Sequence, residues 1–308
     1  MNRQPHARDQ QGMILIMLLL MVALAATAFI LNSLNSDAMR IEQETRTAAA
    51  LYEAKVALTG RAVADANHPG SLPCPDGDND GSADAFAGND CPAYIGRLPW
   101  KTLGIGNLKD SAGETLWYAL SSNYRDHTSA EPINGSVLGS LKVDGISDRV
   151  AVIFAPGPPL SFQTGRPSNT VSDYLESENA DGDMDFSQLI SATQNDRLIS
   201  IGRTELFNLV AQRILGEIKG DSTQGMKKYY ATYAAYPFAD IDGDGNADAS
   251  QYSGRTSWQA GPDSLFFNSA TKSMLLNNQW MSTVNYAVTN TRQNATLSAY
   301  GKTLSIAP

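Results

Sequence analysis

The chain has 308 residues, 42% of them hydrophobic and 18% charged, and a formal net charge of −9. That length holds one large domain or two ordinary ones, and the negative balance argues against a nucleic-acid binder, so no nucleic-acid partner is expected. Three dispersed histidines and two cysteines are too few donors for a zinc site, and a mean hydropathy of −0.26 excludes a polytopic membrane protein.

A short leader, residues 1–12, carries Arg3 and Arg8 and ends in Gly12. The uncharged apolar run Met13–Leu31 follows, 19 residues long. It predicts a transmembrane helix segment over residues 13–36. The basic leader places that end in the cytoplasm and exports the rest. Ile41, Ala48, Leu51, Val56 and Leu58 then recur at helical spacing among charged residues. With no Pro between Met13 and His68, the reading is one helix of roughly 50 residues, apolar first and amphipathic later.

Basic leader, glycine and unbroken apolar segment together resemble the prepilin signal of type IV pilins and type II secretion pseudopilins. The resemblance implies cleavage between Gly12 and Met13 by the prepilin peptidase, with methylation of the new amino terminus. It also implies an α+β fold, in which the long N-terminal helix packs on an antiparallel sheet. Partners would be other pilin-like subunits, met through that helix, and the inner membrane. One departure is Met17 at the fifth mature position, where the family usually has Glu. The family's large tip-type minor pseudopilin also lacks that Glu, so a tip position is expected. Leu108–Tyr118 loosely resembles the segment that enters the first strand pair of major pseudopilins.

Cys74 and Cys91 bracket an Asp- and Gly-rich loop. In an oxidising periplasm two such thiols pair, and closing a loop of this size contributes about 3 kcal/mol.

The rest of the chain reads as a repeat. A helix, a Pro and Asp76-Gly-Asp78-Asn-Asp80-Gly81-Ser82-Ala-Asp84 come first. Tyr94-Ile-Gly96-Arg97-Leu-Pro-Trp100, a strand at Leu116–Leu120 and a strand ending in Ala155-Pro156 follow. After a predicted helix over Arg203–Tyr233, the order recurs. It runs through Asp240-Ile-Asp242-Gly-Asp244-Gly245-Asn246-Ala-Asp248, Tyr252-Ser-Gly254-Arg255-Thr-Ser-Trp258, Val284–Val288 and Ala307-Pro308. A duplicated helix-plus-sheet unit is inferred, the first over residues 37–200 and the second over 201–308.

Both loops read D-x-D-x-D-G-x-x-D. Oxygens at alternate positions of a tight loop converge on a hard cation, and the sixth-place Gly permits the turn. One or two Ca²⁺ ions are therefore expected. The ligands would be Asp76, Asp78, Asp80, Ser82 (carbonyl) and Asp84, then Asp240, Asp242, Asp244, Asn246 (carbonyl) and Asp248. Ala87 and Gln251 stand where an EF-hand has Glu, so neither loop is a complete EF-hand. Asp181, Asp183 and Asp185 form a weaker third loop without the sixth-place Gly. The four tryptophans read as core or sheet-face residues, and Arg97 and Arg255 as structural ion-pair partners. No nucleophile elbow, P-loop or dinucleotide fingerprint occurs.

The expectation is a non-enzymatic minor pilin or pseudopilin subunit with a calcium-stabilised periplasmic head, held single-pass in a bacterial inner membrane before assembly. The alternative is a membrane-anchored, calcium-dependent binding or adhesion module that never assembles.

Overall fold

The computed structural model describes residues 8–127, 132–259 and 265–308; in the first helix, side chains are described at 17–25, 27 and from 37 onward. The described chain divides into two compact bodies, one ending at Ala49 and the other starting at Ala50.

Helix α1 runs from Arg8 to Ala64 over 57 residues. The membrane span expected over residues 13–36 is not supported: among the described residues, no helix is long and apolar enough to cross a membrane. The single-pass inner-membrane location, with the head in the periplasm, falls with it. A span needs about 20 consecutive apolar residues. The described apolar side chains cover 17–25, and from Asp37 the helix carries Arg40, Glu42, Glu44 and Arg46. The cleavage bond Gly12–Met13 lies on side chains outside the described ones, as do residues 1–7 of the leader.

The amphipathic half of α1 packs on a different stripe from the one its spacing predicts: Leu51 and Leu58 are buried, but Ile41, Ala48 and Val56 are exposed. Ala50, Ala54, Leu58 and Ala62, four residues apart, are buried together with Leu51. Past the helix end, the Asp65 carboxylate accepts the amides of Asn67 and His68 at 2.9 and 2.7 Å.

The first sheet follows: β1 (Ile95–Arg97), β2 (Trp117–Leu120), β3 (Leu141–Val143), β4 (Ile146–Ala155), β5 (Asp185–Phe186) and β6 (Arg197–Gly202). The spatial order is β1-β2-β4-β3-β5, with β6 also paired to β4. All pairings are antiparallel except β3 with β5.

The second helical stretch is two helices rather than the single one expected over Arg203–Tyr233. They are α2 (Arg203–Lys219) and α3 (Gly225–Tyr233). Gly220 and Gly225 adopt φ of 64° and 72°, and backbone lies within 3 Å of where either would carry a Cβ. These left-handed positions break the helix.

The chain ends with β7 (Ser253–Gly254), α4 (Ser269–Asn277), α5 (Trp280–Thr283), β8 (Asn285–Val288), β9 (Ala295–Ala299) and β10 (Lys302–Ile306). These strands form an antiparallel sheet in the order β10-β9-β8-β7. The α+β class and the mostly antiparallel sheets therefore agree with the sequence reading, while the transmembrane half of the helix does not.

One core joins the amphipathic half of α1, helices α2 and α3, and the inner faces of both sheets. Buried Asn278 links segments far apart in the chain. It accepts from the Ile133 amide, takes the Asn134 side-chain amide on its carbonyl and donates to the Asn67 carbonyl. A second, smaller core lies on the other face of the first sheet, beneath residues 171–186.

Candidate metal centres

The two Asp loops hang from the same backbone frame. Asp76 exchanges two hydrogen bonds with Arg97, N to O 3.0 Å and O to N 2.7 Å. Asp240 does the same with Arg255, again at 3.0 and 2.7 Å. Gly96 pairs with Tyr118 across β1 and β2, and Gly254 with Tyr286 across β7 and β8. The buried Tyr118 hydroxyl donates to the Pro73 carbonyl at 3.3 Å, and that of Tyr286 to Pro237 at 2.8 Å. In each case the proline stands three residues ahead of the first Asp.

Inside each loop the first Asp is a hub. Asp76 accepts the amide of Asn79 at 2.6 Å on one oxygen and of Gly81 at 2.7 Å on the other. Asp240 accepts those of Gly243 at 2.6 Å and Gly245 at 2.9 Å. The last Asp closes the turn: Asp84 accepts from Gly77 at 3.1 Å, and Asp248 from Ile241 at 2.8 Å. Gly81 and Gly245 share a φ of 88°. A Cβ there would lie 2.4 Å from the Trp100 ring or 2.6 Å from that of Trp258. Both conformation and space thus demand glycine.

This geometry brings together carboxylate oxygens of Asp76, Asp78 and Asp84, all within 4.8 Å of one another, and likewise those of Asp240, Asp242 and Asp248. Both acidic clusters could hold a metal ion. Asp80 and Asp244, expected as ligands, stand outside these groups. Their exposed carboxylates accept the amides of Ser82 at 2.6 Å and Asn246 at 2.7 Å. Those amides hold both groups below the usual carboxylate range. Ser82 and Asn246 thus take part in the loop as amide donors. The Asp76 carboxyl is pushed up, first by burial and then by Asp78 and Asp80, against the pull of the Gly81 and Asn79 amides. A cation among these oxygens would relieve that repulsion.

The disulfide Cys74–Cys91 is present and anchors the entry to the first loop. The weaker third loop keeps only local bonds: Asp183 and Asp185 amides donate to the carboxylates of Asp181 and Asp183. Its carboxylates form no metal-like cluster among the described residues.

Sequence reasoning missed one further group, Asp65, His68 and Asp126. The guanidinium of Arg61 already bridges its two carboxylates, at 2.7 and 2.9 Å. Sequence reasoning also missed the buried pair Glu176 and Asp196. Burial and then the neighbouring Glu176 push the Asp196 carboxyl up to about 8.

Trp117 and Trp280 are fully buried, as predicted. Arg97 stacks over Trp117 and Tyr174, at 4.9 and 4.5 Å from the ring centres, in place of the expected ion pair. Protein-family models, curated proteins and solved structures yield no match to this chain.

Proposed function

We propose that the protein is a structural subunit of a pilin-like fibre, with a head stabilised by calcium at its two Asp loops. The observation that carries the assembly reading lies on α1. Met17, Leu18, Leu19, Leu20, Met21, Val22 and Leu24 are all exposed, covering the helix on every side. A helix apolar all round requires burial, and a contiguous exposed apolar surface marks an interaction site. Like helices of other subunits would supply that burial. Met17, at the family's Glu position, suits a tip subunit, which has no subunit ahead of it.

Calcium is the cation favoured by donors that are all oxygen, since nitrogen and sulfur are lacking among these clusters. The support is the recurrence of one carboxylate triad on one backbone frame at two places in the chain.

The test uses the full chain in a host that has the prepilin peptidase. Intact mass should show loss of residues 1–12. Leu20→Asp should abolish incorporation into sheared fibres while leaving the melting temperature of the protein unchanged. A mature chain that keeps residues 1–12, or a Leu20→Asp protein that assembles normally, overturns the fibre reading.

A further inference from the structure

Beside the first Asp loop lies a cavity of about 410 Å³, within the size range of small-molecule sites. Its walls include Asn79, Arg97, Lys109, Thr115 and Ser168. The repeat supplies a second cavity at the corresponding place, walled by Gly243 and Arg255, but of only about 170 Å³. Asn79 and Gly243 both stand three residues past the first Asp of their loops, and Arg97 and Arg255 both carry the bridge to that Asp. The difference lies in the opposite wall. In the second unit it is made by Leu276, Gln279, Met281 and Ser282. In the first it is polar and comes from residues 109–115 and 167–174.

The charges in the larger cavity are unequal. Glu114 is already met by Arg166, whose guanidinium lies 3.3 Å away. Arg166 also donates to the carbonyls of Gly157, Asp173 and Tyr174, which fixes the 167–174 wall. Lys109 is exposed, and its ammonium donates only to the Gly113 carbonyl among the described residues. Arg97 is 96% buried by its 4% exposure. Its Nη2 donates to the Ser168 carbonyl at 2.8 Å, while its buried Nε has no partner among the described residues. Two cations thus line the cavity without a carboxylate of their own. Thr115, Ser168, Asn79 and Asn169 complete the lining; the Thr115 hydroxyl donates to Asn107 and the Ser168 hydroxyl to Asp173, which leaves their oxygens as acceptors.

We propose that this cavity binds an acidic sugar, its carboxylate held between Arg97 and Lys109 and its hydroxyls by the surrounding hydroxyl and amide groups. Charge-assisted bonds from Arg and Lys fix a carboxylate, and the polar wall suits a polyol. The inference is independent of fibre assembly, since it needs the head alone.

The experiment is calorimetric titration of the full chain, with calcium present, using glucuronate, glucose and acetate. Glucuronate should bind at least about tenfold more tightly than either of the others. Lys109→Gln should weaken glucuronate by about tenfold at an unchanged melting temperature. Lys272→Gln, beside Trp258 in the second unit, should leave binding as it was. Absence of glucuronate binding, equal binding of glucose or acetate, or full binding by Lys109→Gln overturns the proposal.

Discussion

In the first unit, strand β2 is buried on both faces: Tyr118 and Leu120 enter the main core, while Trp117 and Ala119 enter the smaller one. In the second unit, β8 has Tyr286 and Val288 inside but Asn285 and Ala287 exposed. The paired register Gly96–Tyr118 and Gly254–Tyr286 makes Trp117 and Asn285 counterparts. The segment 156–196, between β4 and β6, supplies the outer cover in the first unit through Tyr174, Leu175 and Phe186. Yet the two Asp loops keep the same hydrogen bonds. The loop geometry therefore depends on the strand edge and the paired Arg, and is indifferent to what lies behind the sheet. The cover adds something separate, namely one wall of the larger cavity.

The sharpest way to break this comparison is at the counterpart residues. Trp117→Ala should destabilise the protein by about 3–5 kcal/mol, because it empties a buried aromatic site and removes the ring under Arg97. Asn285→Ala, on the exposed face, should change stability by no more than about 0.5 kcal/mol. Chemical denaturation of both variants measures the difference. Equal losses would mean that the outer cover does not set the energetics.

A second break concerns the cover itself. Glu176 and Asp196 are buried within it, and the amides of Asn195 and Asp196 donate to Glu176. Asp196 accepts from the Glu176 amide and the Asn179 side chain, and Gln163 donates to Glu176. Burial and the adjacent Glu176 raise the Asp196 carboxyl to about 8, against an ordinary value of about 4. The native state therefore holds a proton that the unfolded chain releases in between. The stability linked to it is complete below pH of about 4 and is lost as pH rises towards about 8, by at most about 1.4 kcal/mol per pH unit. Melting curves in chelator across that window should fall with pH for the native protein, and Asp196→Asn should flatten them. Parallel curves for the two proteins would count against this reading.

What was legible in the sequence is short-range or strictly patterned. Both Asp loops close on themselves within nine positions, so spacing alone exposed them. Strands β2, β4 and β8 and the pairing of Cys74 with Cys91 were legible for similar reasons, whereas of the predicted α1 stripe only Leu51 and Leu58 face the core. The illegible parts involve distance along the chain. Asp196 meets Glu176 twenty positions away, and Asp126 meets Arg61 at a separation of 65; neither leaves a local pattern. Asp80 and Asp244 followed the alternating spacing but were diverted by the nearest backbone amides. The Ala-Pro landmark misled: Ala155 ends β4, next to β2, whereas Ala307 follows β10, which β9 separates from β8. The break at Gly220 was readable, and Gly220 and Gly225 were its signal.

The finest comparison is between the loops themselves. If they are equivalent calcium sites, each adds RT ln(1 + [L]/Kd), about 1.4 kcal/mol at a tenfold excess over Kd. Asp78 and Asp242 are the residues to change, because both are exposed members of their triads. Each carboxylate accepts a neighbouring amide in the loop, from Asp80 or Asp244. Alanine at either place should leave the calcium-free melting temperature nearly unmoved. Each single variant should lose about half of the calcium-dependent rise, and the double variant all of it, since well-separated sites add. A full rise that survives in Asp78→Ala but not in Asp242→Ala would assign the ion to the second loop alone. The first triad would then be a turn held by its amides, with a disulfide beside it in place of a metal. A chelator with no effect on the unaltered chain would remove calcium from both loops at once and leave the shared hydrogen-bond frame as the sole reason for the repeated spacing.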